Sequence, residues 1–404
     1  MRLDSTRIDR NYFGAFERHE ARFRSKGGRA LNFFFVVPHE YRHWLNERMD
    51  HWLVLGATSA AIFGENYAQD EPVSATLRRN VECLTRQWAA WYPRAKPVSI
   101  EAPTVDDEEG GASLVSRGQG LLFTGGVDST FTLARRAEET DILIKAIFDW
   151  DDESHLVEQL RSEKRNVHGK DVLPIGTNVL RAFPEFADAW AYRTHGPALG
   201  AIAHIVSQGV DRVIFSSSRT YGTLVPWGSH PLTDPLLSSR DLKFEHYGAE
   251  FTRLEKIMRI AKHPEYISEL DVCGLEPALK GNRVNCSRCK KCLRTMISLD
   301  TANVSPNRAS TFDWSHYSLE AIRRTRLHHP NEYPVFHELL DDAIANGRDD
   351  LADAIRSAIH RSYIYYPLGA IESFLRRRFP SQIVNRPIFR HAKYTLFRLR
   401  ERWT

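Results

Sequence analysis

Gly120-Leu121-Leu122-Phe123-Thr124-Gly125-Gly126-Val127-Asp128-Ser129-Thr130 is the stretch on which the reading of this chain turns. A short apolar run, 120–123, reads as a strand. Two glycines interrupt it, and a helix is expected from about Ser129 to Glu138. Glycines let the backbone turn tightly and approach a ligand closely. The helix start beyond them offers unpaired N–H groups and a positive dipole end to an anion. Thr124, Ser129 and Thr130 add hydroxyl donors, and Val127 completes the turn. Asp128 would repel a phosphate unless a cation stood between them, which points to Mg²⁺. The Gly-Lys-Ser/Thr ending of a Walker loop is missing.

Outward from this stretch the strand–helix alternation continues. Residues 142–148, 172–175 and 212–215 read as strands, and 154–168 and 194–208 as helices. Such a rhythm implies a parallel sheet covered by helices on both faces, with ligands at the carboxyl ends of its strands. Upstream, 32–37 reads as a buried strand ending at Pro38. Leu77, Val81, Leu84, Trp88 and Trp91 give 76–92 a helical apolar stripe, which is read as core packing. Cys83, on the same helix, is likewise given a packing role.

The run Asp106-Asp107-Glu108-Glu109-Gly110-Gly111 cannot supply a packed face and reads as a solvated linker. Beyond 300 no repeated strand signal is found. Leu351, Ile355 and Ile359 mark one amphipathic helix, and 368–379 suggests another. The expected organisation is an α+β region at 1–105, an acidic linker at 106–117, an α/β domain at 118–300 and a basic helical region at 301–404. From Arg361 onward there are ten Lys/Arg against two Asp/Glu, interleaved with aromatics, which suits an anionic partner.

Whole-chain composition excludes disorder, collagen and coiled coil: 42% of the 404 residues are hydrophobic and 26% charged, ordinary for a globular protein. A net charge of +4 is too small to imply nucleic-acid binding by itself. No apolar stretch reaches the ~18 residues of a membrane span. The opening residues carry interleaved charges and no apolar core, so no secretory signal is expected. With five cysteines in so long a chain, the expectation is a cytoplasmic protein without a disulfide scaffold.

Four of those cysteines form a second motif. Cys286, Cys289 and Cys292 recur at steps of three, and Cys273 lies thirteen positions upstream. Four thiolates satisfy tetrahedral Zn²⁺ in a closed, structural site. Arg288, Lys290, Lys291 and Arg294 would lower the thiol pKa values. An iron–sulfur cluster is the rival reading, but the further Cys-Pro of the ferredoxin pattern is missing.

The loop Thr124-Gly125-Gly126-Val127-Asp128-Ser129 resembles the PP-loop of the ATP pyrophosphatase superfamily. That resemblance implies a Rossmann-like, HUP-type domain that splits ATP between its α- and β-phosphates, the loop holding the departing pyrophosphate. With the cysteine motif added, residues 118–300 resemble the 7-cyano-7-deazaguanine synthase family. Phe148-Asp149-Trp150 is similar to that family's Phe-Asp-Tyr after the second strand, which implies ATP binding by Phe148 and Asp149. Arg193 resembles its arginine before the long helix. Arg253-Leu254-Glu255 resembles its Lys-Ala-Glu at a helix start facing the phosphates, and Lys256 adds a second cation. The resemblance thus implies roles for Asp128, Arg193, Arg253 and Lys256 in catalysis. The family continues Gly-Gln-Arg-His where this chain has Asp151-Asp152-Glu153-Ser154, so its substrate-recognising residues do not carry over.

The activity expected is an ATP-dependent ligase that adenylates a carboxylate and forms an amide or nitrile. Its acceptor would be a small carboxylate or purine-like molecule, or a partner protein. A tRNA- or nucleic-acid-modifying enzyme of the same superfamily, and a non-catalytic nucleotide-bound scaffold in a bacterial defence complex, are the alternatives. Arg219 and Tyr221, after the fourth strand, could touch substrate or belong to a solvated loop. His230 could act on a leaving group or be structural.

Overall fold

A computed structural model describes residues 1–105, 117–148, 150–273, 284–327 and 330–378, with side chains as far as Tyr363. Most of the expected acidic linker, Asp149 and the tail beyond 378 lie outside the described residues. The chain divides into two compact units, Met1–Ser315 and His316–Thr404.

The first unit is α/β, built on one large sheet. Its strands in chain order are β1 (Arg2–Tyr12), β2 (Phe16–Arg24), β3 (Ala30–Pro38), β4 (Tyr67–Ala68), β5 (Val73–Ser74), β6 (Ile100–Glu101), β7 (Thr104–Val105), β8 (Gln119–Leu122), β9 (Ile142–Ile147), β10 (Asn166–Val167), β11 (Lys170–Thr177), β12 (Arg212–Ser216) and β13 (Lys243–Tyr247). The sheet runs β13-β12-β8-β9-β11-β3-β2-β1-β4-β6, with β10 beside β11; β5 and β7 pair separately. From β13 to β11 every neighbour is parallel. Beyond β11 the next three pairings, β11–β3, β3–β2 and β2–β1, are antiparallel.

Strand alternation sorts the core. Leu121, Leu143, Val172 and Ile214 cluster on one face with Leu133 of α3 (Val127–Arg136). Leu122, Ile142, Ile144, Leu173, Ile175, Val213 and Phe215 face the other way. There they share a core with α1 (Asp50–Phe63), α2 (Ala75–Trp91), α5 (Pro184–Asp188) and α6, the helix His195–Ile205. Helices thus cover both faces, as the alternation implies. Among the five parallel strands β8 is first in sequence, and it lies between β9 and β12. The connection after β8 crosses to β9 on one side and the one after β12 to β13 on the other, so the crevice between β8 and β12 is the topological switch point where open α/β sheets bind ligands.

Residues 1–105 are not a separate layer, which differs from the organisation expected from composition. Strand β3 pairs with β11 through Val36 and Phe35 opposite Gly176 and Thr177. Phe33, Phe35 and Trp52 join the same buried cluster as Leu173 and Ile175. The division between the units falls after 315 rather than at 105 or 300. Two helices are also shorter than expected. The one over 154–168 is α4 (Glu153–Glu163); beyond it, His168 and Gly169 both take positive φ, 50° and 81°, and close a hairpin between β10 and β11. The one over 194–208 becomes His195–Ile205, preceded by a π-turn at Trp190–Thr194. Cys83 is exposed, because Leu77, Val81, Leu84 and Trp88 define the buried face of α2 and position 83 falls on another.

In the second unit, one continuous helix, Asp349–Arg378, replaces the two expected over 349–379. It packs on the helices Leu319–Arg324 and Tyr333–Ala345. Leu351, Ile355 and Ile359 are buried, as the spacing predicts.

Candidate functional site

The glycine turn leaves β8 at its carboxyl end and enters α3, whose N-cap residue is Gly126. Gly125 needs to be glycine because its φ is +76°. Its carbonyl accepts from the backbone N–H of Asp271 at 2.9 Å, which ties the turn to the segment leading into Cys273. Ser129 staples the turn from within. Its Oγ donates to the Gly126 carbonyl at 3.2 Å and accepts from the Thr124 N–H at 3.2 Å. Ser129 and Thr130 are buried, so of the three expected hydroxyl donors only Thr124 faces solvent. Val127 is buried and anchors the helix start. No side chain caps α3, which leaves its first N–H groups facing outward from the turn.

Asp128, in the first turn of α3, is the centre of a charged cluster. Arg253 donates to its Oδ2 at 3.2 Å and Lys256 to its Oδ1 at 3.0 Å. Both cations come from α7 (Arg253–Ile260). A reciprocal capping box between Thr252 and Glu255 fixes the start of that helix. Arg253, Lys256, Ile257 and Ile260 recur on one face, so the buried face of α7 carries two charges as well as its apolar residues. Lys256 Nζ also donates to the Ser217 carbonyl, just past β12, spanning the crevice between β8 and β12. The side chains of Arg253 and Lys256 are 9% and 3% exposed. Burial pushes the Asp128 carboxyl up, but Lys256, Arg253 and Arg294 outweigh it and hold it below the usual carboxylate range. One carboxylate thus faces three cations. Each Asp128 oxygen accepts one of these bonds, and the carboxylate holds Arg253 and Lys256 beside the loop.

The remaining expected residues lie around this centre or away from it. Phe148 follows β9, half-buried and edge-on to Trp190 at 5.1 Å; Asp149 is outside the described residues. Arg193 lies in the π-turn with its guanidinium 5.7 Å over the Tyr92 ring. No described contact joins Arg193 to Asp128. Arg219 stacks over Trp227 at 5.3 Å and donates to the Thr223 carbonyl at 3.3 Å. Tyr221 is 62% exposed. His230 is buried; its Nδ1 accepts from the Leu232 N–H at 3.1 Å, and its ring meets Trp91 edge-on at 4.9 Å. That is a structural placement.

The four cysteines do converge. Their sulfurs all lie within 4.8 Å of one another. Three of the spacings are 3.5 Å (Cys289–Cys292), 3.8 Å (Cys286–Cys292) and 3.9 Å (Cys273–Cys289). Ligands at the ~2.3 Å of a zinc–sulfur bond stand about 3.8 Å apart at tetrahedral corners, so the donor set fits a metal ion such as zinc. Asn285 organises the approach: its Oδ1 accepts from the N–H groups of Val272 and Cys273, and its Nδ2 donates to the Leu270 carbonyl. Ser287, at φ +60°, makes the turn between Cys286 and Cys289. Cys289 is the N-cap residue of the helix Lys290–Thr301, and Cys292 lies in its first turn. Donation from Cys289 and Cys292 holds the Cys286 thiol well below its usual range.

Ser217, Asp271 and the cleft position of Arg294 were not legible from motif spacing. Ser217 and Asp271 contribute backbone atoms, which leave no residue-type signature. Arg294 reads in sequence as a neighbour of the thiols, whereas its charged neighbours also include Arg253, Asp128 and Arg219. No helix among the described residues is long and apolar enough to cross a membrane. Comparison of the chain with protein-family models, with curated proteins and with solved structures finds no match in any of the three.

Proposed function

We propose that the crevice between β8 and β12 takes the triphosphate of ATP, and that the chain is an adenylating ligase with a structural zinc ion on Cys273, Cys286, Cys289 and Cys292. The observation that carries this is the pairing of Asp128 with Arg253 and Lys256 beside an uncapped helix start at a topological switch point. Backbone N–H groups at a helix start with cations close by are the groups that bind a polyphosphate.

Gly126 supports the same reading. Its φ and ψ are −78° and 169°, open to any residue; an added Cβ would press on Thr124 Oγ1 at 3.3 Å, an exposed side chain that has to shift by a few tenths of an ångström, and would touch the Asp271 carbonyl at an ordinary 3.6 Å. The fold has little need of glycine at 126; close approach of a ligand does. In the reaction proposed, an acceptor carboxylate oxygen bonds to the α-phosphorus while the bond from that phosphorus to the bridging oxygen breaks. Diphosphate leaves with the electron pair, and Arg253 and Lys256 hold its charge. Ammonia or an amine then attacks the acyl carbon, losing a proton to solvent, and AMP departs to leave an amide. Mg²⁺, when bound, neutralises charge on the triphosphate.

Gly126→Ala tests the loop. Its melting temperature should stay within a few degrees of the wild type, while calorimetry should show Mg·ATP affinity reduced at least tenfold. A folded Gly126→Ala protein that binds Mg·ATP as tightly as the wild type would show that the turn is not the phosphate cradle.

A further inference from the structure

Arg294 is half-buried, yet among the described residues its guanidinium has no hydrogen-bond acceptor, and its Nε is fully enclosed. The other cations of the cleft are provided for. Arg253 has Asp128, Lys256 has Asp128 and the Ser217 carbonyl, and Arg219 has the Thr223 carbonyl. An enclosed donor without a partner forgoes its hydrogen bonds to water and gains none in return. Where such a group stands among other cations at a cleft, an incoming anion can supply the acceptor.

The position of Arg294 narrows what that is. It lies two residues beyond Cys292 on the helix Lys290–Thr301, which packs against α7, the helix carrying Arg253 and Lys256. Its charged surroundings are Arg253, Asp128, Arg219 and Cys289, with Lys256 on the neighbouring helix beside Asp128. The local excess is positive, so the missing partner is an anion. A planar guanidinium fork matches two oxygens of one phosphate group.

We propose that Arg294 is a ligand of the diphosphate portion of the bound nucleotide, held in place by the metal-bound start of its own helix. The cysteine cluster then does more than close the end of the sheet: Cys289 and Cys292 orient the turn from which Arg294 reaches the cleft. This rests on the ATP reading above and adds to it a named phosphate ligand and a link between the two sites.

The test uses the full chain and inorganic diphosphate as the probe. An arginine that serves the fold destabilises the protein when removed, whereas one left unpaired for a ligand does not. Arg294→Met should therefore melt at or above the wild-type temperature and keep its metal. It should bind diphosphate at least tenfold more weakly and lose most of the thermal shift that diphosphate gives the wild type. An Arg294→Met protein that melts well below the wild type would mark the residue as structural and overturn the inference. So would unchanged diphosphate affinity in Arg294→Met while Lys256→Gln loses it, a result that leaves the ATP reading standing. If the wild type binds neither diphosphate nor Mg·ATP, the ATP reading itself fails and the inference with it.

Discussion

His51, on α1, is 2% exposed, and neither of its ring nitrogens has a hydrogen-bond partner. Its ring lies among aromatics, 4.6 Å from Trp52 and 5.9 Å from Phe35. Unlike Arg294 it has no excess of like charge to hold an anion; burial, with His19 and His204 nearby, simply keeps it neutral, its pKa well below the usual histidine value. The unfolded chain takes up a proton near pH 6.5 that the folded chain refuses. Stability is therefore complete above that pH and falls as the pH drops toward the lower folded value, by about 1.4 kcal/mol per pH unit for each such histidine. His51→Phe, which keeps a ring in the same apolar setting, should remove its share of that slope. Urea unfolding at pH 7.5 and 5.5 measures it, and identical pH dependence in the two proteins would mean that His51 is protonated within the fold.

Among the elements, the strand–turn–helix of β8 and α3 was legible because an apolar run, two glycines and a polar helix start succeed one another without interruption. The cysteine motif was legible because thiols at steps of three admit few other uses. Strands β1 and β2 were not, since β1 places most of its side chains in solvent and offers no apolar alternation. Helix α1 was missed for the opposite reason: Asp50 to Ala61 are all buried, so it has no polar face to give a helical period. In α7 the inward Arg253 and Lys256 break the apolar stripe that would have marked it, and only the resemblance drew attention to them. The turn bearing Cys286 and Cys289 brings four thiols within 4.8 Å of one another, an arrangement that a bound metal would hold together. One zinc per chain is expected by metal analysis, and chelation should lower the melting temperature because metal binding to such a site is folding free energy, commonly several kcal/mol. Cys273→Ser should reproduce part of that loss. Iron with visible charge-transfer absorption would instead identify a sulfur cluster.

At the scale of the whole molecule, the first unit shows how composition can suggest a boundary that packing does not respect. The acidic run at 106–111 reads as a linker, but the segments on either side of it share one sheet and one core. Only two residue pairs join β3 to β11, yet Phe33, Phe35, Val37, Trp52 and Leu53 share a buried cluster with Leu173, Ile175 and Phe215. Apolar burial on that scale, at roughly 25 cal/mol for each Å² removed from water, outweighs the few backbone hydrogen bonds of the pairing. A chain lacking residues 1–105 would expose the inner face of β9, β11 and the helix His195–Ile205 to solvent. Such a chain, beginning at residue 117, should not unfold cooperatively and should bind a hydrophobic dye at neutral pH. The full chain should show a sharp transition for this unit and little dye binding. If the shortened chain instead melts sharply near the wild-type temperature, the N-terminal strands are an addition to an independent α/β domain, and the shared core contributes little to its stability.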